Sequence, residues 1–426
     1  MNYHVNPKKN FIYTVTIPGS KSISNRALIL AALSGKKCIL QNFLFSDDTH
    51  FMLEGLKRLG NEISFSTVDN TVTIIGNKER NFNNTSLFTG NAGTMMRFLS
   101  SYIITGTGKV TLIGNERMNQ RPIKDLADSF IELGVKVDYL EEVGYPPISL
   151  TVNSHNFSSS VHVNADKSSQ YLTSLLLSAP YFEKGLSIQL KNTLVSRPYV
   201  DMTLSMMKEF GVVVTEDKTE NSFFVPQGRY SLDSYLIEGD MSSASYFLAM
   251  ALISNSTITI NNFFKNSIQG DKKFLEIFLK LGGKIIEESD YSITVSGCDE
   301  YSGIDIDLND SPDIAQTLAI VALFAKSPTT VRNVANMRIK ETDRITALKN
   351  EIIKIGGEFL EYEDGFTIVP KLSYKGALIK TYDDHRMAMC FSLAGLKISN
   401  IIIEDCNCVS KTFPRYFELF DKIYST

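Results

Sequence analysis

One pattern recurs six times along the 426-residue chain: a short polar loop runs directly into an apolar helix candidate. The copies open at Ser22, Gly93, Ser168, Ser242, Asp313 and His385, spaced 71, 75, 74, 71 and 72 residues apart. Such a period means that one supersecondary unit is repeated, and that its hydrophobic face is buried only when copies stack. A chain of this length exceeds one ordinary core, so the six units imply more than one domain.

A second landmark repeats with the first. A helical stretch ends in a hydrophobic residue and glycine at Leu59-Gly60, Leu133-Gly134, Phe210-Gly211, Leu281-Gly282 and Ile355-Gly356. Glycine follows helix ends because it enters the left-handed region without a Cβ clash. These helices are amphipathic: Leu126, Phe130 and Leu133 share a face that Lys124, Asp128 and Glu132 avoid. The helix opening each unit differs. Residues 243–253 and 315–325 are apolar nearly all round, which places such a helix inside a core. Alternating β-branched runs follow at 109–113, 186–190, 257–260, 329–334 and 401–404 and predict strands.

Each unit therefore reads as buried helix, strand, amphipathic helix, strand and short strand. The fold class is α/β, with three buried helices per domain and sheets outside them. The sixth unit lacks its trailing strands, and a strand expected at 11–17 is a candidate to complete it. That arrangement makes one domain discontinuous. The expected domains are 21–239, and 1–20 with 240–426, with a second crossing at Glu238-Gly239-Asp240.

Composition narrows the function. A formal net charge of −4 carries no general basic footprint for nucleic acid. No apolar run is long enough to span a bilayer, and the polar N-terminus has no signal core. Cys38, Cys298, Cys390, Cys406 and Cys408 form no redox or zinc spacing, so reduced thiols in a cytosolic protein are expected.

The reactive side chains concentrate in the repeat loops. Pro18-Gly19-Ser20-Lys21-Ser22-Ile23-Ser24-Asn25-Arg26 joins two cations and several hydroxyls at a helix start, where unpaired N–H groups favour anions. It reads as a phosphate or carboxylate site, or as an ordinary serine-capped helix. The chain contains no Walker A or dinucleotide glycine motif. In Thr89–Arg97, Gly90 and Gly93 permit close backbone approach, and Arg121 follows on the next loop. Ser168, Ser169 and Gln170 offer neutral donors, and Ser196-Arg197-Pro198-Tyr199 opens a further helix. The fourth loop, Asp240-Met241-Ser242-Ser243, reads as capping and hinge structure. Asp313 heads an apolar helix as a cap or a base. Asn336 to Arg344 is a charge-alternating loop containing Lys340 and Glu341. Asp384-His385-Arg386 opens the sixth helix, and Lys411 lies beyond it. Cations and amides fill the first half and acids, histidine and cations the second. Group transfer on anionic substrates, without metal or redox cofactor, is the chemistry such a set suggests.

These loops resemble those of 5-enolpyruvylshikimate-3-phosphate synthase, the 3-phosphoshikimate 1-carboxyvinyltransferase family. The resemblance is carried by residues 18–26, Gly-Asn-Ala-Gly-Thr at 90–94, Ser-Ser-Gln at 168–170, Asp-Met-Ser-Ser-Ala-Ser-Tyr at 240–246, Lys-Glu-Thr-Asp-Arg at 340–344, Asp-His-Arg-Met-Ala-Met at 384–389 and Lys-Thr-Phe-Pro at 411–414. It implies two domains of three βαβαββ units each, an inside-out α/β barrel, with the active site between them. It also implies a cytoplasmic monomer without cofactor. The reaction would move the enolpyruvyl group of phosphoenolpyruvate to the 5-hydroxyl of shikimate 3-phosphate, on the route to chorismate and aromatic amino acids. By the resemblance, shikimate 3-phosphate is bound by Lys21, Ser22, Arg26, Ser168, Ser169, Gln170, Ser196, Tyr199, Asp313, Asn336 and Lys340. Phosphoenolpyruvate is bound by Lys21, Gly93, Arg121, Gln170, Arg344, Arg386 and Lys411. Glu341 is the expected acid and base at C3, Asp313 takes the 5-hydroxyl proton, Lys21 assists the leaving charge, and His385 supports proton movement or positions Glu341.

Two positions depart from the family pattern: Phe98 stands where proline is usual, and Met337 where an aromatic residue is common. Both adjoin the site, where glyphosate, the family's inhibitor, acts. UDP-N-acetylglucosamine enolpyruvyl transferase shares fold and donor, but that family carries a reactive loop cysteine that the site-like loops here are read as lacking. A non-catalytic anion-binding homologue would not need every acid and base named above.

Overall fold

The computed structural model describes residues 1–154 and 157–425. All six opening helices are present: Lys21–Ser34, Gly93–Ile104, Ser169–Ser178, Met241–Ser254, Ala315–Ala322 and His385–Ala394. Every residue of Gly93–Ile104 and of His385–Ala394 is buried, including the polar residues Arg97, His385 and Arg386. Between them run the amphipathic helices Asp47–Arg58, Lys124–Leu133, Arg197–Glu209, Lys273–Lys280 and Arg344–Lys354. The glycines after them, Gly60, Gly134, Gly211, Gly282 and Gly356, all have φ between 87° and 100°. The landmark in the sequence is thus a left-handed helix terminus.

The sheets explain the repeat. In the second unit the order is Asn81–Phe88, Thr107–Ile113, Ile148–Val152 and Lys136–Tyr139. The first pair is parallel and connected through the buried helix, and the others are antiparallel. The third and fifth units repeat this plan. The first and fourth exchange their leading strands. Ile12–Thr16 runs into Lys21–Ser34 but pairs with Thr257–Asn261, behind the fourth buried helix. Ser234–Leu236 runs into Met241–Ser254 but pairs with Lys37–Gln41, behind the first.

This corrects one expectation. The strand anticipated at 11–17 completes the fourth sheet, not the last. The last sheet, which also contains Ala377–Ile379, is completed by Tyr3–Val5, antiparallel to Ile401–Ile403. A three-residue edge strand leaves too little alternation to read from sequence.

The chain divides into two compact units, Met1–Pro18 with Glu238–Thr426, and Gly19–Ile237. Each has its own helical interior. In the first, Met241–Ser254, Ala315–Ala322 and His385–Ala394 pack pairwise. In the second, Gly93–Ile104 packs on both Lys21–Ser34 and Ser169–Ser178. A glycine stands at each crossing. A Cβ on Gly19 would lie 2.0 Å from the Asn42 carbonyl oxygen, and one on Gly239 would lie 1.8 Å from that of Asn262. Among the described residues no helix is long and apolar enough to cross a membrane.

Candidate functional site

In the unit Gly19–Ile237, three helix starts carry the anticipated donors. Ser20 caps Lys21–Ser34, accepting from the Ile23 amide, so Lys21 and Ser22 lie in its first turn. Lys21 Nζ is 3.2 Å from a carboxylate oxygen of Asp48, a partner that sequence reading did not single out. Arg26 is buried and donates to Thr203 Oγ1, the Ser22 carbonyl and the Tyr199 carbonyl at 2.8, 2.9 and 3.1 Å. Its guanidinium lies over Phe98 at 5.0 Å and Tyr199 at 5.9 Å. Burial pulls its pKa down to about 10, and it remains a cation at neutral pH. Phe98, the departure from the family pattern, is therefore the floor under Arg26.

Gly93–Ile104 begins after Ala92, which offers no side-chain acceptor. Its first turn is thus without a side-chain cap, the kind of helix start that favours anions. Arg121 is buried and donates to the Asn91 carbonyl and side chain at 3.1 and 3.2 Å. Arg97, also buried, donates to Gln170 Oε1 at 2.7 Å. Gly93 makes room for both: an added Cβ would stand 2.7 Å from Arg121 Nη2 and 2.8 Å from Arg97 Nη1. Ser168 caps Ser169–Ser178 by accepting from the Gln170 amide, which places the Gln170 side chain beside Thr94 Oγ1 at 3.4 Å. Ser196, buried at φ 53°, and the half-buried Tyr199 open Arg197–Glu209. Among the described residues neither Arg26 nor Arg121 belongs to an ion pair.

The other unit gathers the acids around one arginine. Arg344 is buried, and its Nε, Nη1 and Nη2 donate to Asp384 at 2.7 Å, Asp313 at 2.9 Å and Glu341 at 2.8 Å. Asp384 also caps His385–Ala394 through the Arg386 amide at 2.9 Å. Asp313 sits inside the 3-10 turn Pro312–Ile314 and is the N-cap residue neither of that turn nor of Ala315–Ala322. Its carboxylate lies 3.5 Å from Lys340 Nζ and 3.3 Å from Arg386 Nη2. Burial pushes the Asp313 carboxyl up, but Arg386, Lys340 and Arg344 outweigh that and hold it well below the usual carboxylate range. Asp313 is an anion at neutral pH.

Glu341 is 8% exposed, and its second oxygen is 3.9 Å from Lys411 Nζ. His385 is buried, with Nδ1 3.8 Å from Asp384. Asn336 is half-buried on the turn Ala335–Ile339, whose Met337 is fully buried. Arg386 donates to Tyr246 Oη at 3.2 Å, the Asp313 carbonyl at 3.1 Å and Ser242 Oγ at 3.3 Å. The fourth loop, read from sequence as capping and hinge, therefore also orients a cation. Asp240 does cap Met241–Ser254, accepting from the Ser243 amide at 3.1 Å. One further correction concerns cysteine. Cys408 shares the turn Cys406–Lys411 with Lys411, so a site-like loop does contain a thiol. Burial pushes that thiol up to about 12, and it stays protonated.

Asp48, Asp384, Tyr246 and Asp271 (which hydrogen-bonds Ser242) are the supporting residues that sequence reading left without a role. Asp384 and Tyr246 were visible inside motifs. Asp48 and Asp271 are acids in a helix's first turn and a 3-10 turn, where capping is the ordinary reading.

The EPSP synthase (3-phosphoshikimate 1-carboxyvinyltransferase) family model matches residues 5–420. The chain is 43% identical over 419 residues to the 3-phosphoshikimate 1-carboxyvinyltransferase of Sulfurovum sp. (strain NBC37-1), covering 96% of each. It is 45% identical over 415 residues to that of Yersinia pestis bv. Antiqua (strain Angola), again covering 96% of each. Its fold is similar to that of the EPSP synthase of Acinetobacter baumannii, with a TM-score of 0.80 at 24% identity over 99% of this chain and 98% of that one. With the repeat plan, the uncompensated arginines and the clustered acids, these likenesses show that the chain belongs to the EPSP synthase family.

Proposed function

We propose that this chain transfers the enolpyruvyl group of phosphoenolpyruvate to the 5-hydroxyl of shikimate 3-phosphate, releasing phosphate. The observation that carries the reading is a complementarity. Among the described residues, one unit holds two buried arginines, Arg26 and Arg121, that belong to no ion pair, and the other clusters carboxylates on the buried Arg344. The first set suits polyanions. The second suits proton transfer.

In this reading, Lys21, Ser22, Arg26, Ser168, Ser169, Gln170, Ser196 and Tyr199 hold shikimate 3-phosphate, together with Asp313, Asn336 and Lys340. Lys21, Gly93, Arg121, Gln170, Arg344, Arg386 and Lys411 hold phosphoenolpyruvate. The two units, Gly19–Ile237 and Met1–Pro18 with Glu238–Thr426, each contribute residues to the binding of both substrates. A neutral enol ether is a poor electrophile. Glu341 delivers a proton to C3, which makes C2 oxocarbenium-like. The 5-hydroxyl oxygen bonds to C2 as Asp313, kept ionised by its cations, takes the hydroxyl proton. Phosphate then leaves C2 with its bonding electrons while Glu341 recovers a proton from C3. Preorganised Lys21 and the arginines stabilise the charge on the departing phosphate. His385, beside Asp384, steadies the acid cluster. The protein acts as a cytoplasmic monomer on small molecules, and glyphosate competes around Gly93.

The experiment is phosphate release from phosphoenolpyruvate with two acceptors. Release with shikimate 3-phosphate and none with UDP-N-acetylglucosamine is the expected result. Release with the sugar nucleotide alone, or with neither, overturns the reading. The thiol of Cys408, held protonated by burial, disfavours the sugar-nucleotide alternative.

A further inference from the structure

Behind Arg386 lies a carboxyl group that the mechanism does not use. Asp271 sits in the 3-10 turn Gly270–Lys272 and is 4% exposed. One of its oxygens is hydrogen-bonded to Ser242 Oγ, and the other is buried with no hydrogen-bond partner. Ser242 Oγ in turn accepts from Arg386 Nη2 at 3.3 Å. The turn is fixed on both sides. Ser311 Oγ donates to the Gly270 carbonyl at 3.0 Å, and Gln269 binds the Met241 amide and the Gly239 carbonyl at 3.2 and 2.8 Å. A buried carboxyl left half-satisfied is costly, and in a rigid frame it points to a role beyond packing.

We propose that Asp271 is a positioning residue for Arg386, acting through Ser242, and that its ionisation makes the protein's grip on phosphoenolpyruvate depend on pH. The proposal rests on the reading of Arg386 as a phosphoenolpyruvate ligand. When Asp271 is ionised, Ser242 donates to it and turns a lone pair to the guanidinium, so one polarised chain of hydrogen bonds orients Arg386. When Asp271 is protonated, the hydroxyl loses its anionic acceptor and the chain weakens. Asp313, Arg386, Ser242 and Asp240 are the polar and charged groups that act on Asp271. Burial raises its carboxyl and the Asp313 charge raises it further. The Arg386 charge and the Ser242 hydrogen bond oppose them, and Asp240 adds a smaller push upward. The balance lies at about 6, so the group changes charge where an enzyme is assayed.

The test compares wild type, Asp271→Asn, Ser242→Ala and Arg386→Lys between pH 5 and 8. Asp271→Asn and Ser242→Ala are expected to raise KM for phosphoenolpyruvate about tenfold, with KM for shikimate 3-phosphate within about twofold of wild type. In wild type, kcat/KM for phosphoenolpyruvate falls as pH drops through 6. In Asp271→Asn the contribution of this group to that fall disappears, leaving the ionisation of the substrate phosphate, which is common to every variant. Replacing a buried carboxylate by a neutral amide removes a desolvation penalty, so at pH 8 Asp271→Asn is expected to unfold at no lower temperature than wild type. An unchanged pH profile, equal changes in both KM values, or a loss of activity that tracks a lowered unfolding temperature overturns the proposal. Normal phosphoenolpyruvate kinetics in Arg386→Lys would instead overturn the reading of Arg386 itself.

Discussion

At the scale of single residues, the site depends on what is missing as much as on what is present. Gly93 is the clearest case, because two guanidinium groups occupy the space its side chain would fill. Gly93→Ala pushes aside the guanidinium ends of Arg121 and Arg97, which are buried and hydrogen-bonded to Asn91 and Gln170. KM for phosphoenolpyruvate is expected to rise about tenfold, since one or two charge-assisted hydrogen bonds become misaligned. KM for shikimate 3-phosphate is expected to change much less, and steady-state kinetics with each substrate varied in turn check this. The identity of such residues was legible in the sequence. Their states were not. Asp313 reads by default as a cap until the structure puts it outside the N-cap position and gives it three cations to face. Asp48, next to Asp47 in a helix's first turn, and Asp271, in a 3-10 turn, have nothing in their local sequence that distinguishes a functional partner from a cap.

At the scale of elements, the buried helices carry the chemistry at their first turns, and their caps differ accordingly. Asp384 performs two tasks, accepting from the Arg386 amide and holding the Arg344 guanidinium. Asp384→Ala removes a cap worth about 1 kcal/mol and breaks a buried ion pair, an effect of about 3–5 kcal/mol. We expect a cooperative loss of stability of that order, with Asp384→Asn milder because asparagine caps as well. Chemical denaturation of both variants checks the ranking. The helices themselves were plainly legible, since an all-round apolar run and a glycine terminator each repeat on the same period. The exchange of leading strands was not. Ile12–Thr16 has the alternation of a strand, but alternation says nothing about which neighbour a strand will pair with, and the three residues Ser234–Leu236 are too few to show it.

At the scale of the molecule, that exchange makes each unit self-contained. Ser234–Leu236 closes the edge of the sheet begun by Lys37–Gln41, and Tyr235 and Ile237 are buried there. A fragment of residues 19–237 is therefore expected to fold cooperatively on its own. One ending at 232 loses the strand and its two buried side chains, and should be less stable by about 3–6 kcal/mol. Urea denaturation of the two fragments measures the difference. The division of labour across the molecule is that both units grip anions and one of them also moves protons. It is tested most directly by running the reaction in D₂O with phosphoenolpyruvate and shikimate 3-phosphate. Protonation at C3 places deuterium in the vinyl methylene of the product, and in recovered phosphoenolpyruvate only when shikimate 3-phosphate is present. Glu341→Gln should slow both product formation and deuterium entry by at least about a hundredfold. Product formed without deuterium, or deuterium entry at the wild-type rate in Glu341→Gln, would contradict the account.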